Sequence, residues 1–412
     1  MKKRVVITGM GAVSPIGNDI ETLWESIKKT KPGIDFITGF DASGIKVNVA
    51  GEVKGFDPVK YIDKKEAKRM DRYTQFAIAA SSQAFENSGL KEADYNPERM
   101  GVIVGSGIGG LGTIEEQAGK LQSRGPKRIS PFFIPMSIVN MASGNVAIAL
   151  GAKGLCNTVV TACASGTNAV GEALRNLQYG YADIIVAGGT EAAVTLLGVA
   201  GFEAMTALST KDDPARASIP FDVERDGFVM AEGAGMMVLE TLEHAKARNA
   251  KIYGEIAGYG FTCDAHHITA PAPGGEGGAR AMKLAIEDAG IKPSDVSYIN
   301  AHGTSTPYND KFETQAIKTA FGESAKDIPI SSTKSMTGHM LGAAGAIEAI
   351  VCAKALQDGF VPATAGLAKP DPECDLDYVP GKGRQQELSY ALSNSLGFGG
   401  HNASIILKKW EE

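Results

Sequence analysis

The chain has 412 residues, a formal net charge of −6 and 43% hydrophobic residues. That length holds one large domain or two to three ordinary ones around a sizeable core. So mild a charge gives no electrostatic footprint for nucleic acid or a membrane surface, and no run nears the ~18 apolar residues of a spanning helix. Five cysteines without regular spacing argue against a disulfide framework and for a reducing compartment. The basic start is followed by only three apolar residues, Val5, Val6 and Ile7, too few for a signal peptide. A soluble cytoplasmic protein is expected.

Residues 5–11 read as a buried strand ending in a glycine turn, and 19–28 as a helix with Leu23, Trp24 and Ile27 on its apolar face. Residues 57–72 are charged, with Lys60, Lys64, Lys65, Lys68, Arg69 and Arg72 among acids. Such a run is either a solvated face or a docking patch for an acidic partner. An alanine-rich helix follows over 73–88, closed by Gly89, and then a strand over 100–104 that runs into Gly105-Ser106-Gly107-Ile108-Gly109-Gly110. This run matches the dinucleotide fingerprint, but no strand ending in Asp or Glu follows ~20 residues on, as ribose recognition requires. The glycines read instead as room for a chain to pass close to the backbone. Arg124, Lys127 and Arg128 precede an apolar run over 132–136.

Residues 157–171 change character abruptly. A β-branched run, Thr158-Val159-Val160-Thr161, stops at Cys163, which Ala162, Ala164, Ser165 and Gly166 surround; Val170, Ala173, Leu174 and Leu177 then mark a helical face. This is strand, tight turn and helix with a thiol at the turn. The helix would aim its N-terminal amides at the sulfur and lower its pKa. Cys163 therefore reads either as a nucleophile for acyl chemistry or as a small buried core residue. Further strands are expected over 182–189, ending in glycines, and over 234–240 and 252–259.

Three matched pairs in the same order predict an internal duplication. Residues 78–110 and 281–306 both run helix, glycine, loop, strand and turn. The helix after Cys163 leads to a strand at 183–187, as the helix at 345–357 leads to 360–362. Residues 235–239 resemble 403–407. The split falls near residue 250, giving halves 1–250 and 251–412. Alternating strands and helices make the fold class α/β with mainly parallel strands, in which ligands sit at the carboxyl ends of strands. The pseudo-symmetry brings Cys163, His302 and His339 to one site. The spacing Cys263-x-x-His266-His267 has metal-ligand types, but no second half completes a zinc site.

Four motifs then carry a resemblance that spans essentially the whole chain. Thr161-Ala162-Cys163-Ala164-Ser165-Gly166, Ala301-His302-Gly303-Thr304-Ser305-Thr306-Pro307, Lys334-Ser335-Met336-Thr337-Gly338-His339 and Asn394-Ser395-Leu396-Gly397-Phe398-Gly399-Gly400 are similar to those of the β-ketoacyl synthases of fatty acid synthesis. The Gly105–Gly110 run is similar to that of the elongating members. The resemblance implies a duplicated thiolase-like fold in five layers, α-β-α-β-α, a homodimer, and no cofactor of its own, since 4′-phosphopantetheine arrives on the acyl carrier protein.

It also implies roles. Cys163 holds the acyl chain, with the amides of Cys163 and Phe398 as oxyanion hole. His302 and His339, neutral, donate hydrogen bonds to the malonyl thioester as carbon dioxide leaves, and Lys334 is a nearby positive charge. Thr304 and Thr306 hold the pantetheine arm. Gly107, Ile108, Phe133 and Phe202 line the acyl tunnel, and Phe398, flanked by Gly397, Gly399 and Gly400, is a gate. Glu348, Asn300, Ser393 and Asn394 either support the site or hold a structural monovalent cation; no metal is required. Lys64, Lys65, Lys68, Arg69, Lys127 and Arg128 become docking candidates for the acidic carrier protein. His401 stands where many relatives carry threonine. The competing readings are a polyketide-type ketosynthase with the same mechanism, a chain-length-factor-like partner, which typically lacks the cysteine, and an NAD-dependent oxidoreductase resting on the glycine motifs.

Overall fold

The computed structural model describes residues 2–411. Its frame is ten strands: β1 (Val5–Val13), β2 (Met100–Gly105), β3 (Cys156–Val159), β4 (Ile184–Glu191), β5 (Gly233–Thr241), β6 (Gly254–Cys263), β7 (Val296–Asn300), β8 (Ile330–Ser331), β9 (Tyr390–Gly397) and β10 (His401–Lys408). They lie in the order β8-β7-β9-β10-β6-β1-β5-β4-β2-β3. Read outward from the centre, the order β1-β5-β4-β2-β3 repeats as β6-β10-β9-β7-β8, so each strand has its counterpart five strands later. Among the described residues the two sets pair through Val6↔Glu255 and Ile7↔Gly254 alone, and otherwise form two separate layers.

Alternation along the strands builds the layers. Ile185 and Ala187 face inward, into a core shared with the helices α2 (Ser165–Gln178) and α4 (Ala344–Asp358), while Ile184 and Val186 face outward against α1 (Arg72–Asn87). On the other side, Ile406 and Leu392 pack on α3 (Glu276–Ala289) and on the helix Pro307–Phe321. The sequence α1, sheet, α2 with α4, sheet, α3 is the five-layered α-β-α-β-α fold. Helices α2 and α4 sit between two sheets, which explains why α4 is apolar on nearly every face.

Three expectations need correction. The strands are not mainly parallel: β1–β5, β1–β6, β4–β5, β6–β10 and β9–β10 pair antiparallel, and among the described residues only β2–β3, β2–β4, β7–β8 and β7–β9 pair parallel. The strands at 5–11 and 182–189 do not end at their glycines; β1 runs to Val13 and β4 to Glu191. Gly9 and Gly11 are there because α1 crosses the strand closely. A Cβ on either would stand 2.1 Å from the Ala84 carbonyl or 2.0 Å from that of Ala80. The counterpart of β4 is β9, not Phe360–Val361, which pairs with Arg384–Gln385 in a small separate sheet. Among the described residues, no helix is long and apolar enough to cross a membrane.

Candidate active site

Both central helices begin in the same strained way. Ala162 (φ 50°) and Leu341 (φ 46°) lie in the left-handed region, each three residues ahead of its helix and each opening a short 3-10 turn. Such backbone, held only by its surroundings, concentrates at functional sites. The first turn is braced by Ser165, whose Oγ accepts from Thr161 N (2.9 Å) and donates to the Ala162 carbonyl (2.7 Å). It presents Cys163. The second follows directly on His339.

A cavity of about 390 Å³ joins them, lined by Cys163, His302, His339, Phe398, Thr304 and Thr306 among others. The rings of His302 and His339 are 5.3 Å apart and nearly perpendicular, and Phe228 packs edge-on to His339 at 5.2 Å. Thr304 and Thr306 share a hydroxyl hydrogen bond of 3.0 Å. Burial, and then the charge of Lys334, hold both imidazoles well below their ordinary pKa, so both are neutral at neutral pH. Nδ1 of His302 and both ring nitrogens of His339 have no partner among the described residues, which leaves hydrogen-bonding capacity to spare at the cavity wall.

The thiol departs from expectation. Cys163 is only 8% exposed. Burial pushes it up to about 11, while Lys334 and the amides of Phe398 and Cys163 pull it down. Desolvation therefore outweighs the helix terminus, and the resting group is a thiol rather than a thiolate. The amides that oppose burial are the two expected at the oxyanion hole.

Lys334 is itself buried and ion-paired to Glu348. Beside them, Asn300 Oδ1, Ser393 Oγ and Glu348 Oε2 are buried without partners among the described residues, and Asn300 and Ser393 are register partners on β7 and β9. Orphaned oxygens of this kind fit a monovalent cation. Asn394 is already engaged: its Nδ2 donates to Glu313 (3.2 Å) and its Oδ1 accepts from Ser404 (2.7 Å).

Behind Cys163 lies an apolar cluster that includes Ile108, Leu111, Val199, Phe202, Phe228 and Leu341. Phe202 lies 6.3 Å from Phe398, ring to ring. The Phe398 loop turns on Gly399 (φ 84°) and Gly400 (φ 74°), angles that glycine adopts without strain. It is tied to the neighbouring loop, with Gly399 N donating to the Ile268 carbonyl and Asp264 N to that of Gly400. His401 lies against Gly399. Like Phe133, Gly107 and Ile108 do not line the 390 Å³ cavity; Ile108 belongs to the apolar cluster, whereas Phe133 opens the short helix Phe133–Ser137 outside it. His267, from the zinc-like spacing, accepts at Nδ1 from Thr269 N and Ala270 N (3.1 Å each), a turn-capping role.

Sequence reasoning missed two acids. Glu313 accepts from His302 N and Gly303 N (2.8 Å each) and so fixes the histidine turn. Burial pushes it up to about 7 against the pull of those amides. Glu191, at the end of β4, receives the amides of Gly107 (2.7 Å), Ile108 (3.2 Å) and Gly109 (3.3 Å). The glycine run thus cradles a carboxylate of the chain itself, which removes the phosphate site that a dinucleotide would need and with it the oxidoreductase reading. An acid closing an otherwise apolar, glycine-rich strand was the signal available for Glu191.

A turn-borne thiol facing two neutral imidazoles, between the halves of a duplicated thiolase-like fold, defines a condensing acyltransferase. Residues 2–245 match the family model "Beta-ketoacyl synthase, N-terminal domain" and residues 253–368 the corresponding C-terminal domain. A Staphylococcus aureus (strain N315) protein named 3-oxoacyl-[acyl-carrier-protein] synthase 2 is 57% identical over 409 residues, 99% of each chain. A Synechocystis protein of the same name is 56% identical over 411 residues, 100% of this chain and 99% of its own. Among solved structures, a β-ketoacyl synthase from Burkholderia phymatum STM815 superposes with a TM-score of 0.92 at 35% identity, over 99% of this chain and all of its own. A type II polyketide ketosynthase, solved in complex with its acyl carrier protein, does so with a TM-score of 0.92 at 37% identity over the whole of both chains. The chain belongs to the β-ketoacyl synthase family.

Proposed function

We infer that the protein elongates fatty acyl chains by decarboxylating Claisen condensation, joining malonyl-acyl carrier protein to an acyl group held on Cys163 and releasing 3-oxoacyl-acyl carrier protein and carbon dioxide. The observation that carries this reading is the meeting of Cys163 with two neutral imidazoles in one cavity. A hydrolase would use one of them as a base for water; in the condensation both donate to a carbonyl oxygen, the role their neutral state suits.

In the first half-reaction the Cys163 sulfur attacks the acyl thioester, and its proton leaves with the carrier's pantetheine thiol. The developing oxyanion is met by the amides of Cys163 and Phe398. In the second, malonyl thioester enters against Thr304 and Thr306. N–H groups of His302 and His339 stabilise the enolate as the carboxylate departs as carbon dioxide. The carbanion attacks the acyl-Cys163 ester, the new carbon–carbon bond forms, and the sulfur leaves and takes up a proton. Burial, helped by Lys334, keeps the imidazoles neutral, and Lys334 favours the transient thiolate. A monovalent cation, where bound, would be held by Asn300, Ser393 and Glu348 and would supply positive charge that steadies Glu348.

The names of relatives at 56–57% identity, against 37% for the polyketide ketosynthase, favour fatty acid elongation over polyketide extension. The presence of Cys163 speaks against a chain-length-factor role. Lys64, Lys65, Lys68, Arg69, Lys127 and Arg128 are all exposed, and Arg69 stacks over Phe132 at 4.8 Å, which gathers both basic groups on one face for an acidic carrier protein. A homodimer is supported by the exposed edge strand β3 and the apolar Ile134, Ile138, Ile148 and Val160 left at the surface. Phe133 would serve a cavity only across that interface.

Cys163→Ala tests the mechanism. It should lower condensation by about 10⁴-fold or more yet retain decarboxylation of malonyl-carrier protein, because the enolate site needs no sulfur. Chain elongation by this variant at a rate near that of the parent would overturn the reading.

A further inference from the structure

Glu191 is fully buried beside Cys163, and no step of the condensation uses it. Its two oxygens take separate sets of donors. Oε1 accepts from Ser106 Oγ (2.9 Å), Ile108 N (3.2 Å) and Gly109 N (3.3 Å). Oε2 accepts from Gly107 N (2.7 Å) and, from the other half of the molecule, Gly342 N (3.1 Å). Gly342 belongs to the turn that follows His339. The carboxylate thus holds one end of the apolar cluster at Ile108 and the catalytic turn of the second half at Gly342. A Cβ on Gly107 would stand 3.0 Å from Oε2, so the loop is drawn tightly onto the acid.

We propose that Glu191 is a specificity-determining positioning residue, which fixes the Gly107–Gly109 backbone and so the place of Ile108, and thereby sets the acyl chain length that Cys163 accepts. The proposal rests on the reading of the apolar cluster behind Cys163 as the acyl cavity. Every hydrogen-bond partner of Glu191 is a donor, and only a carboxylate accepts at both ends. Glutamine has the same shape, but its NH₂ must face either the Gly107 and Gly342 amides or the Ser106, Ile108 and Gly109 donors. Whichever way it turns, one set loses its acceptor and is pushed away. The loop bearing Ile108 then shifts, and the cavity changes depth while the imidazoles and the thiol keep their chemistry.

The test compares Glu191→Gln, Ser106→Ala and Ile108→Ala with the unchanged enzyme, using hexanoyl-, decanoyl- and palmitoyl-carrier protein. Acyl-Cys163 is read by intact mass spectrometry, and the Michaelis constant for malonyl-carrier protein is measured alongside. Glu191→Gln should change the ratio of palmitoyl to hexanoyl acylation rates by about tenfold, with the malonyl Michaelis constant unchanged. Removal of its negative charge should also raise the alkylation rate of the Cys163 thiol at fixed pH. Ser106→Ala, which removes one donor and keeps the acid, should shift the ratio in the same direction by less, and it reads the proposal even if Glu191→Gln folds poorly. An equal loss at every chain length in both variants, or no change, overturns the proposal. If Ile108→Ala leaves the length profile untouched, the cavity reading fails and takes the proposal with it. If Ile108→Ala shifts the profile and neither of the others does, only the role of Glu191 fails.

Discussion

The turns that open α2 and α4 are the same piece of backbone used for two purposes. Ala162 and Leu341 carry the same unusual φ. Ala164 N donates to the Thr161 carbonyl at 3.0 Å, as Ala343 N does to that of Met340 at 2.9 Å. Where the first turn places Cys163, the second places Gly342. The first presents a side chain to the cavity. The second must leave room, because a Cβ on Gly342 would lie 2.5 Å from Gly107 N and 2.8 Å from Glu191 Oε2. Duplication made two equivalent nucleophile positions, and packing lets only one be filled. The second half supplies charge and hydrogen bonding instead, through His339, Lys334 and Glu348.

The charged half of this pairing is the costlier one to disturb. Lys334 and Glu348 are both almost fully buried, and removal of one partner of such a pair costs about 3–5 kcal/mol. Glu348→Ala should lower stability by that amount in denaturant titration, and Glu348→Gln by less, because the amide still accepts from Lys334. If Glu348→Ala unfolds at the same denaturant concentration as the parent, the pair is not the anchor of this half.

Next in size is an exchange between the turns. Gly342→Ala inserts a methyl group against the Gly107 backbone, at a cost of about 1–3 kcal/mol, and it should abolish condensation by pushing back its own turn and, with it, His339. Cys163→Gly should lose condensation too, but with only about 1 kcal/mol of destabilisation. Equal melting temperatures for the two variants would erase the distinction between the turns.

Much of this pairing was legible in the sequence. The four motifs that carry Cys163, His302, Lys334 with His339, and Phe398 are local strings, and strand-end turns put them on one side of an α/β sheet. The strand ends were misread because Gly9, Gly11 and Gly188 look like turn residues, and only the approach of another element, such as α1, shows otherwise. The match of β9 to β4 was hidden by the excursion over 359–389 between α4 and β9, within which Phe360–Val361 imitates the expected strand. Glu191 and Glu313 are hard to assign from sequence because most of their partners are backbone amides, which leave no trace in residue identity; only the place of Glu191 at the end of a glycine-rich apolar strand marks it. The thiol's pKa was misjudged because a helix terminus is visible in a sequence and burial is not.

That last difference gives a smaller, sharper test. With the thiol pushed up to about 11 by burial and held back by Lys334, the alkylation rate of Cys163 should keep rising with pH well past the ordinary thiol range. Lys334→Met removes the positive charge, raises the thiol further, and so should slow alkylation at a fixed mildly alkaline pH by about tenfold. The sign is diagnostic: faster alkylation in Lys334→Met would mean that the second half does not tune the first. The imidazoles add a second reading. Both are already neutral at neutral pH because their pKa is lowered, so decarboxylation by Cys163→Ala should be flat across the ordinary histidine range and fall only at lower pH.

The smallest effect lies on the outer surface of the first half, where Lys64, Lys65 and Lys68 make no ion pair among the described residues, whereas Arg69 is tied to Glu66 at 3.0 Å. An unpaired, exposed lysine contributes almost nothing to stability, so Lys65→Glu with Lys68→Glu should leave the melting temperature unchanged. What it alters is the field that a negatively charged carrier meets on approach. The Michaelis constant for carrier-borne substrate should rise about tenfold at low salt. The difference from the parent should shrink as added salt screens the face, since the screening length falls to about 8 Å at physiological ionic strength. A soluble pantetheine thioester, which brings no acidic protein, should be used equally well by both enzymes. A loss with both substrates would place the effect in the cavity, and no loss with either would make these lysines a solvated face and nothing more.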